Sequence, residues 1–250
     1  MLKEWKELNS VDFRGIQKED AAILVIGSCE QHGLHLPMGT DVFLGEEVIR
    51  RAAKCAKRRI FLLPSISYGF SAHHMDFPGS ITLSQETLCH MIIEVVSCVI
   101  KAGFGKVILV VSHGGNSPSV HMAVNELGIR CTGSNIIMLR YWDFMREFME
   151  ELRDSPMGGI GHAGEMETSM MMAALPHLVK EGWENYTLTQ GNEWYHPDMF
   201  AANRITVYKR FRDISEWGNV GVCDCASAEK GERIFEYLGA EIGRFLDEYD

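Results

Sequence analysis

The chain has 250 residues, 46% of them hydrophobic and 23% charged, with 34 acidic against 24 basic side chains. That length suits one large domain or two small ones, with a core that needs no disulfide staples. The net charge of −10 offers no basic field to a phosphate backbone, so nucleic acid is not an expected partner. No apolar stretch approaches the ~20 residues needed to span a bilayer, so no membrane association is expected either.

The N-terminal MLKEWKELNSVDF carries charges throughout and has no apolar signal region. AAILVIG, from Ala21, then reads as a buried strand, followed by a polar, Gly-containing loop from Ser28 to Thr40. DVFLGEEVIRRAAKCAKR has the spacing of an amphipathic helix, and IFLLPSIS reads as a second strand halted by Pro64. A helix is predicted from Ser84 to about Gly103. A strand KVILVVS, a helix SPSVHMAVNELGI and a strand SNIIMLRYW follow. Another helix is expected from Gly164 or Glu165 to Leu175, and ASAEKGERIFEYLGAEIGRFLDEY is strongly amphipathic. Alternating β and α elements without a linker predict one α/β domain over residues 1–250, an α/β/α layered sandwich with a mostly parallel central sheet. Seven cysteines without CxxC pairs fit a reducing, cytoplasmic setting. The Cys223-x-Cys225 pair reads as ordinary loop or strand rather than a metal site.

In open α/β sheets, ligands bind beyond the carboxyl ends of the strands. Three such loops concentrate chemistry here: Glu30-Gln31-His32 through Asp41, Ser112-His113-Gly114-Gly115-Asn116, and His162-Ala163-Gly164-Glu165-Met166-Glu167. One imidazole and two carboxylates in the first loop form a donor set that suits Zn, Mn or Fe(II). In extended chain, residues 30 and 32 point the same way, while Gly33 and Gly39 let the loop return Asp41 to that point. His113 adds a ligand at a strand end. His162 and Glu165, three apart, would share a face on a helical first turn. The bland alternatives are solvated loop polars, satisfied histidines, and acids complementing a helix dipole. A nucleophilic role for Cys29 and a phosphate-binding role for His-Gly-Gly-Asn are weaker, the latter because no Lys-Ser/Thr pair accompanies it.

Glu-Gln-His-Gly-x-His-x-x-x-x-x-Asp, His-Gly-Gly-Asn, Tyr-Trp-Asp-Phe, Phe-Pro-Gly-Ser and the Glu-Thr-Ser run resemble the creatininase (creatinine amidohydrolase) family from about residue 8 to the C-terminal helix. The resemblance implies a hydrolase of C–N amide bonds in small molecules, with two divalent metals per subunit and assembly into homo-oligomers, often hexamers. It implies Glu30 and His113 on one metal, His32 on the other, and Asp41 bridging. It also implies His162 as the proton-transfer residue assisted by Glu167, and Trp142 at the substrate pocket. Two departures stand out. Creatininase has a glutamate ligand where this chain has Gly115, and a tryptophan where it has Gly158. The first makes Glu165 a candidate replacement ligand; the second points away from creatinine itself. The expected substrate is a small molecule with a cyclic-amide or formamide bond, and the His-Gly-Gly-Asn version is closer to the family's deformylase-like branch; a deformylase of a formylamino-pyrimidine and a peptidase-like member are the alternatives. His74, with His73 beside it, is a candidate substrate contact, and Trp183 or Trp194 are further pocket candidates. His35 has no assigned role. A non-catalytic metal-binding subunit is the competing class, and His162 with Glu167 argues against it. The glycines at 158, 159, 161 and 164 fit either a mobile flap or a structural turn.

Overall fold

The continuous apolar runs at Ala21 and Val107 are buried on both faces, which is what interior strands of a parallel sheet require. The computed structural model describes residues 1–181 and 188–249, so Trp183 lies outside the described residues. In chain order the elements are β1 (Leu2–Glu4), β2 (Ala21–Ile26), α1 (Thr40–Cys55), β3 (Ile60–Leu62), α2 (Gln85–Lys101), β4 (Lys106–Val111), α3 (Ser117–Arg130) and β5 (Asn135–Arg140). There follow α4 (Arg146–Leu152), β6 (Ile160–His162), α5 (Glu165–Ala174), α6 (Phe211–Ile214), β7 (Val220–Gly221) and α7 (Ala228–Glu248).

Five strands form one all-parallel sheet in the order β1-β3-β2-β4-β5. β2 and β4 pair along their full length, Ala21 with Lys106 through Ile26 with Val111. Parallel neighbours require right-handed crossovers. Because β3 and β4 lie on opposite sides of β2, the crossovers through α1 and α2 fall on opposite faces. α2 packs with α3, whereas α1, α5 and α7 pack on one another. This is the layered, mostly parallel α/β/α architecture that the alternation predicts.

α7 shows why the helical layer is tight. Ile234, Phe235, Leu238, Ile242 and Leu246 repeat at helical spacing and are all buried, each worth about 1.5–3 kcal/mol. Gly231 lets α7 approach α5 so closely that a Cβ there would lie 2.0 Å from the Ser169 carbonyl oxygen. Ser227 caps the helix by accepting from Lys230 N.

Several elements depart from the sequence expectation. β1 has no apolar run and forms because β3 offers it an open edge. The strand predicted at IFLLPSIS is only three residues long before Pro64 ends it. His162 does not begin a helix; it ends β6, which pairs antiparallel with β7 in a separate two-stranded ribbon. His162 and Glu165 therefore do not share a helical face.

Candidate metal centre

The carboxyl ends of the strands bring the predicted residues together. Glu30 and His32 follow β2, Ser71 to His74 follow β3, His113 follows β4, and Asp41 opens α1. Asn116 stitches these ends. Its amide nitrogen donates to the carbonyls of Ile26 and Gly27, and its oxygen accepts from Phe70 N at 2.8 Å. The Ala163–Glu167 segment, entering α5, covers this edge.

Glu30, Asp41 and His113 form one group whose ligand atoms lie within 4.8 Å of one another. His32, His162 and Glu167 form a second such group, and Glu30, His74 and His162 a third. Glu30, His32, Asp41 and His113 are all buried. Hydrogen bonds from outside the cluster orient them. Ser71 Oγ donates to Glu30 Oε2 and Ser28 Oγ to Asp41 Oδ2, both at 2.6 Å.

The imidazole tautomers follow from their backbone partners. A carbonyl can only accept, so His113 Nε2–H donates to Phe70 O at 2.9 Å and His32 Nδ1–H donates to Glu30 O at 3.1 Å. Each ring is left with its other nitrogen facing carboxylates. His113 Nδ1 lies 3.1 Å from Glu30 Oε1 and 3.5 Å from Asp41 Oδ2; His32 Nε2 lies 3.3 Å from Asp41 Oδ1. His32 Nε2 and Glu30 Oε1 are buried without an aligned hydrogen bond. Lone pairs facing anionic oxygens repel unless a cation lies between them. An imidazole whose second N–H is held by a carbonyl is the usual outer arrangement of a metal ligand. The residues therefore fit a metal.

The electrostatics carry the same signature. Burial would lower the pKa of His32, but Asp41, Glu167 and Glu30 overcome it and raise it to about 10. Burial likewise opposes a charge on His113, and Glu30 and Asp41 raise it to about 9. Burial opposes ionisation of Glu30, yet His113, His74 and His162 hold its carboxyl well below the usual range. Glu167 moves the other way, to about 7, because burial and nearby Asp41 outweigh the attraction of His32. The cluster thus holds carboxylates whose charge protons or metal ions can neutralise.

Gln31 organises the remaining histidines. Its Oε1 accepts from Gly33 N and its Nε2 donates to Gly218 O, both at 2.9 Å, which fixes the amide orientation. The same Nε2 lies 2.8 Å from His74 Nδ1, so that nitrogen accepts and His74 Nε2 carries the hydrogen, 3.3 Å from Glu30 Oε1. That nitrogen faces Glu30 without an aligned hydrogen bond. His162 Nε2 lies 2.6 Å from Gln31 O and must donate to it, leaving Nδ1 as the free basic nitrogen, 3.7 Å from Glu30 Oε1. Burial, with His32 and His74 nearby, keeps the His162 imidazole neutral, its pKa well below the ordinary value.

Glu167 enters the cluster and Glu165 does not. Glu167 Oε2 accepts from Ala163 N at 2.6 Å. That bond supports the left-handed backbone of Ala163, φ 51°, which costs an alanine about 1–2 kcal/mol. The Glu165 carboxylate turns away, accepting from Asp154 N and Ser155 N at 2.9 Å each and pairing with Lys230. Glu165, expected from sequence as the replacement for the carboxylate absent at Gly115, lies outside the three groups. Nor does Gly115 leave a hole: a Cβ there would lie 2.5 Å from both His113 Nε2 and Phe70 O, and 3.0 Å from His73 Cε1. His73 fills that space, its ring parallel to His113 at 5.6 Å and 11°.

The residues expected from sequence as substrate contacts, Trp142 and His74, are both buried. Trp142 is buried and packs in the core, edge-on to Tyr141 at 5.1 Å. Tyr141 is the neighbour that senses the site: burial, then Glu167 and Asp41, push its phenol well above its ordinary pKa. His74 is buried inside the cluster, while His73 beside it is partly exposed. Trp194 is 48% exposed, under the Arg204 guanidinium. His35 bonds Thr168 at 2.8 Å, tying the first loop to α5. Cys29 has its thiol pKa raised by burial and by Glu30, the opposite of an activated nucleophile. Ser28, Ser71, Gln31 and Asn116 are site residues that spacing alone did not single out. Ser71 had one signal, its place in the Ser-x-His-His run.

The creatinine amidohydrolase family model matches residues 5–246. The chain belongs to the creatininase family. Creatinine amidohydrolase of Pseudomonas putida is 29% identical over 191 residues, covering 70% of this chain and 71% of that protein. Mycofactocin precursor peptide peptidase of Mycobacterium tuberculosis is 28% identical over 248 residues, covering 92% of this chain and 86% of that protein. A solved manganese creatininase superposes with TM-score 0.78 at 25% identity, covering 97% of this chain and 96% of that one. A zinc–zinc form gives 0.79 at 24% identity over the same shares of the two chains. This creatininase-family amidohydrolase carries the family's layered fold and, among the described residues, three groups able to hold a metal.

Proposed function

We propose that this creatininase-family chain is a dinuclear, metal-dependent amidohydrolase that cleaves a C–N bond of cyclic-amide or formamide type in a small molecule. The observation that carries this reading is the pair of buried imidazole nitrogens, His32 Nε2 and His113 Nδ1, aimed at the oxygens of Asp41 and Glu30. Glu30, Asp41 and His113 would hold one cation, and His32 and Glu167, grouped with His162, the second, with Asp41, 3.3 Å from His32, as the carboxylate between them. Glu167 takes the part of the carboxylate that has no room at Gly115. Zn, Mn and Fe(II) all suit these donors, and the solved zinc–zinc and manganese forms of creatininase support the first two.

When bound, two such cations lower the pKa of water and polarise a carbonyl. The chain's own residues supply the rest. Gln31 holds His162 and His74 in fixed tautomers before substrate arrives. His162, neutral and with Nδ1 free, accepts a proton at that atom and returns it to the departing nitrogen. The buried walls exclude bulk water, which strengthens every charge interaction at the reacting carbonyl. Gly158, in place of the creatininase tryptophan, argues for a substrate other than creatinine.

Seven free cysteines among the described residues support a reducing, cytoplasmic setting, and no described helix is long and apolar enough to cross a membrane. Self-association is part of the proposal, through the half-buried edge strand β5 and the exposed Met122 and Ile129 of α3.

The test combines elemental analysis of the purified protein with a screen of cyclic amides and N-formyl compounds, with and without chelator. About two divalent ions per chain and chelator-sensitive turnover are expected. Turnover of a verified substrate that survives complete metal removal would falsify the proposal.

A further inference from the structure

Residues 202–210 are exposed throughout, and then the chain turns inward at Phe211. That ring stacks on His74, with centroids 4.0 Å apart and planes at 25°. It meets His162 edge-on at 4.8 Å and 72°, and leans on His73 at 5.5 Å. One partly exposed aromatic ring therefore touches three imidazoles that belong to the cluster or border it.

Both basic residues flanking it are engaged elsewhere. The Arg212 guanidinium lies 4.2 Å from the Phe77 ring centre. Arg210 pairs with Asp213 at 2.7 Å and lies 3.7 Å from Asp76. These contacts dock the strap on the 72–77 turn and keep both cationic heads away from the cluster. Phe70 continues the aromatic wall, 6.1 Å from His73. The rings of Phe70, His73 and Phe211 border the cluster with flat π-faces, which favour a flat, uncharged group over a carboxylate or phosphate.

We propose that Phe211 is the specificity-determining residue of the site, its ring forming the wall on which a flat, uncharged, π-bearing group beside the scissile amide stacks. The inference rests on the metal-dependent reading above, because the ring is useful only if the reaction occurs at the cluster beneath it. Aromatic stacking of this kind changes affinity by about 2- to 12-fold.

The test uses two metal-chelating probes, acetohydroxamate and benzohydroxamate, which differ in the flat ring. Each is titrated calorimetrically into Mn-loaded wild type, Phe211→Ala, Phe211→Leu and Phe211→Tyr. Wild type and Phe211→Tyr should favour benzohydroxamate by about 2- to 12-fold more than Phe211→Ala and Phe211→Leu do. Acetohydroxamate affinity should stay nearly constant across the series. The leucine variant keeps a large apolar side chain, so the comparison survives if the alanine variant folds poorly. If Mn binds and all four proteins show the same preference ratio, Phe211 is not the wall. If elemental analysis finds no Mn in the wild type, the metal-dependent reading fails and this inference falls with it.

Discussion

Placing an alanine at Gly115 tests whether the space beside His113 is as closely filled as the geometry says. The added Cβ would lie 2.5 Å from Phe70 O and from His113 Nε2, roughly 1 Å inside the optimal carbon separation of about 3.5–4.0 Å. Neither neighbour is a flexible chain end. Phe70 is held by Asn116, and the His113 ring is held by the Phe70 carbonyl. The Nε2–H···O bond must therefore stretch or break. Crowding of this kind costs about 1–3 kcal/mol, and each kcal/mol lowers the melting temperature by about 2–4 °C in a chain of this size. The larger effect is on metal, because disturbing the outer partner of a ligating histidine costs about 10–100-fold in affinity. Competition with a chromophoric chelator measures that affinity, and thermal melting of the metal-free protein separates it from general damage. Wild-type affinity in a Gly115→Ala protein whose His113 is undisturbed would refute the account. It would mean that the position can take a side chain and that Glu167 is not needed as its replacement.

Glu167→Gln should lower metal content, whereas Glu165→Gln should leave it unchanged and reduce the melting temperature by weakening the Lys230 pair; equal metal loss in the two would reverse the assignment. Asp198 governs a pH effect. Burial raises its pKa, but Arg153 and the N–H groups of Gly158 and Phe200 prevail and the carboxyl sits below its ordinary value. A depressed folded-state pKa adds stability that is complete above the unfolded value of about 3.9 and is lost as pH falls through the folded one. Urea denaturation of Asp198→Asn should thus show a deficit at pH 7 that shrinks below about pH 4, and a pH-independent deficit would count against it. Gly231→Ala should cost about 1–3 kcal/mol as α7 is pushed off α5. An unshifted thermal midpoint would show that the helices do not meet as closely as described.

The layered fold was legible because β2 and β4 are continuous apolar runs and α7 repeats at helical spacing, signals set by local burial. β1 and the β6–β7 ribbon were not, since Leu2–Glu4 and Ile160–His162 become strands only when a partner edge is present. Within the site, the sequence points to Glu30, His32, Asp41 and His113 as one cluster, and the fold brings them together. His73 and His74 were not separable, because neighbours in a 3-10 turn differ only in which tertiary surface each meets. Glu165 and Glu167 posed the same problem, and Lys230, far along the chain, decides it. Phe211 carries no local signature at all; its meaning comes from the rings it covers.

The stitching of strand ends by Asn116 has a consequence for how the protein matures. Glu30 and His113 meet only because β2 and β4 are in register, and Asp41 joins them only once α1 is seated. A chain with an unfinished sheet offers a metal scattered single donors. A completed sheet offers a closed set, and a metal at 100 times its dissociation constant adds about 2.7 kcal/mol to that state alone. Metal uptake is therefore a readout of finished topology, and a misregistered chain is left without the reward that a correctly assembled one receives.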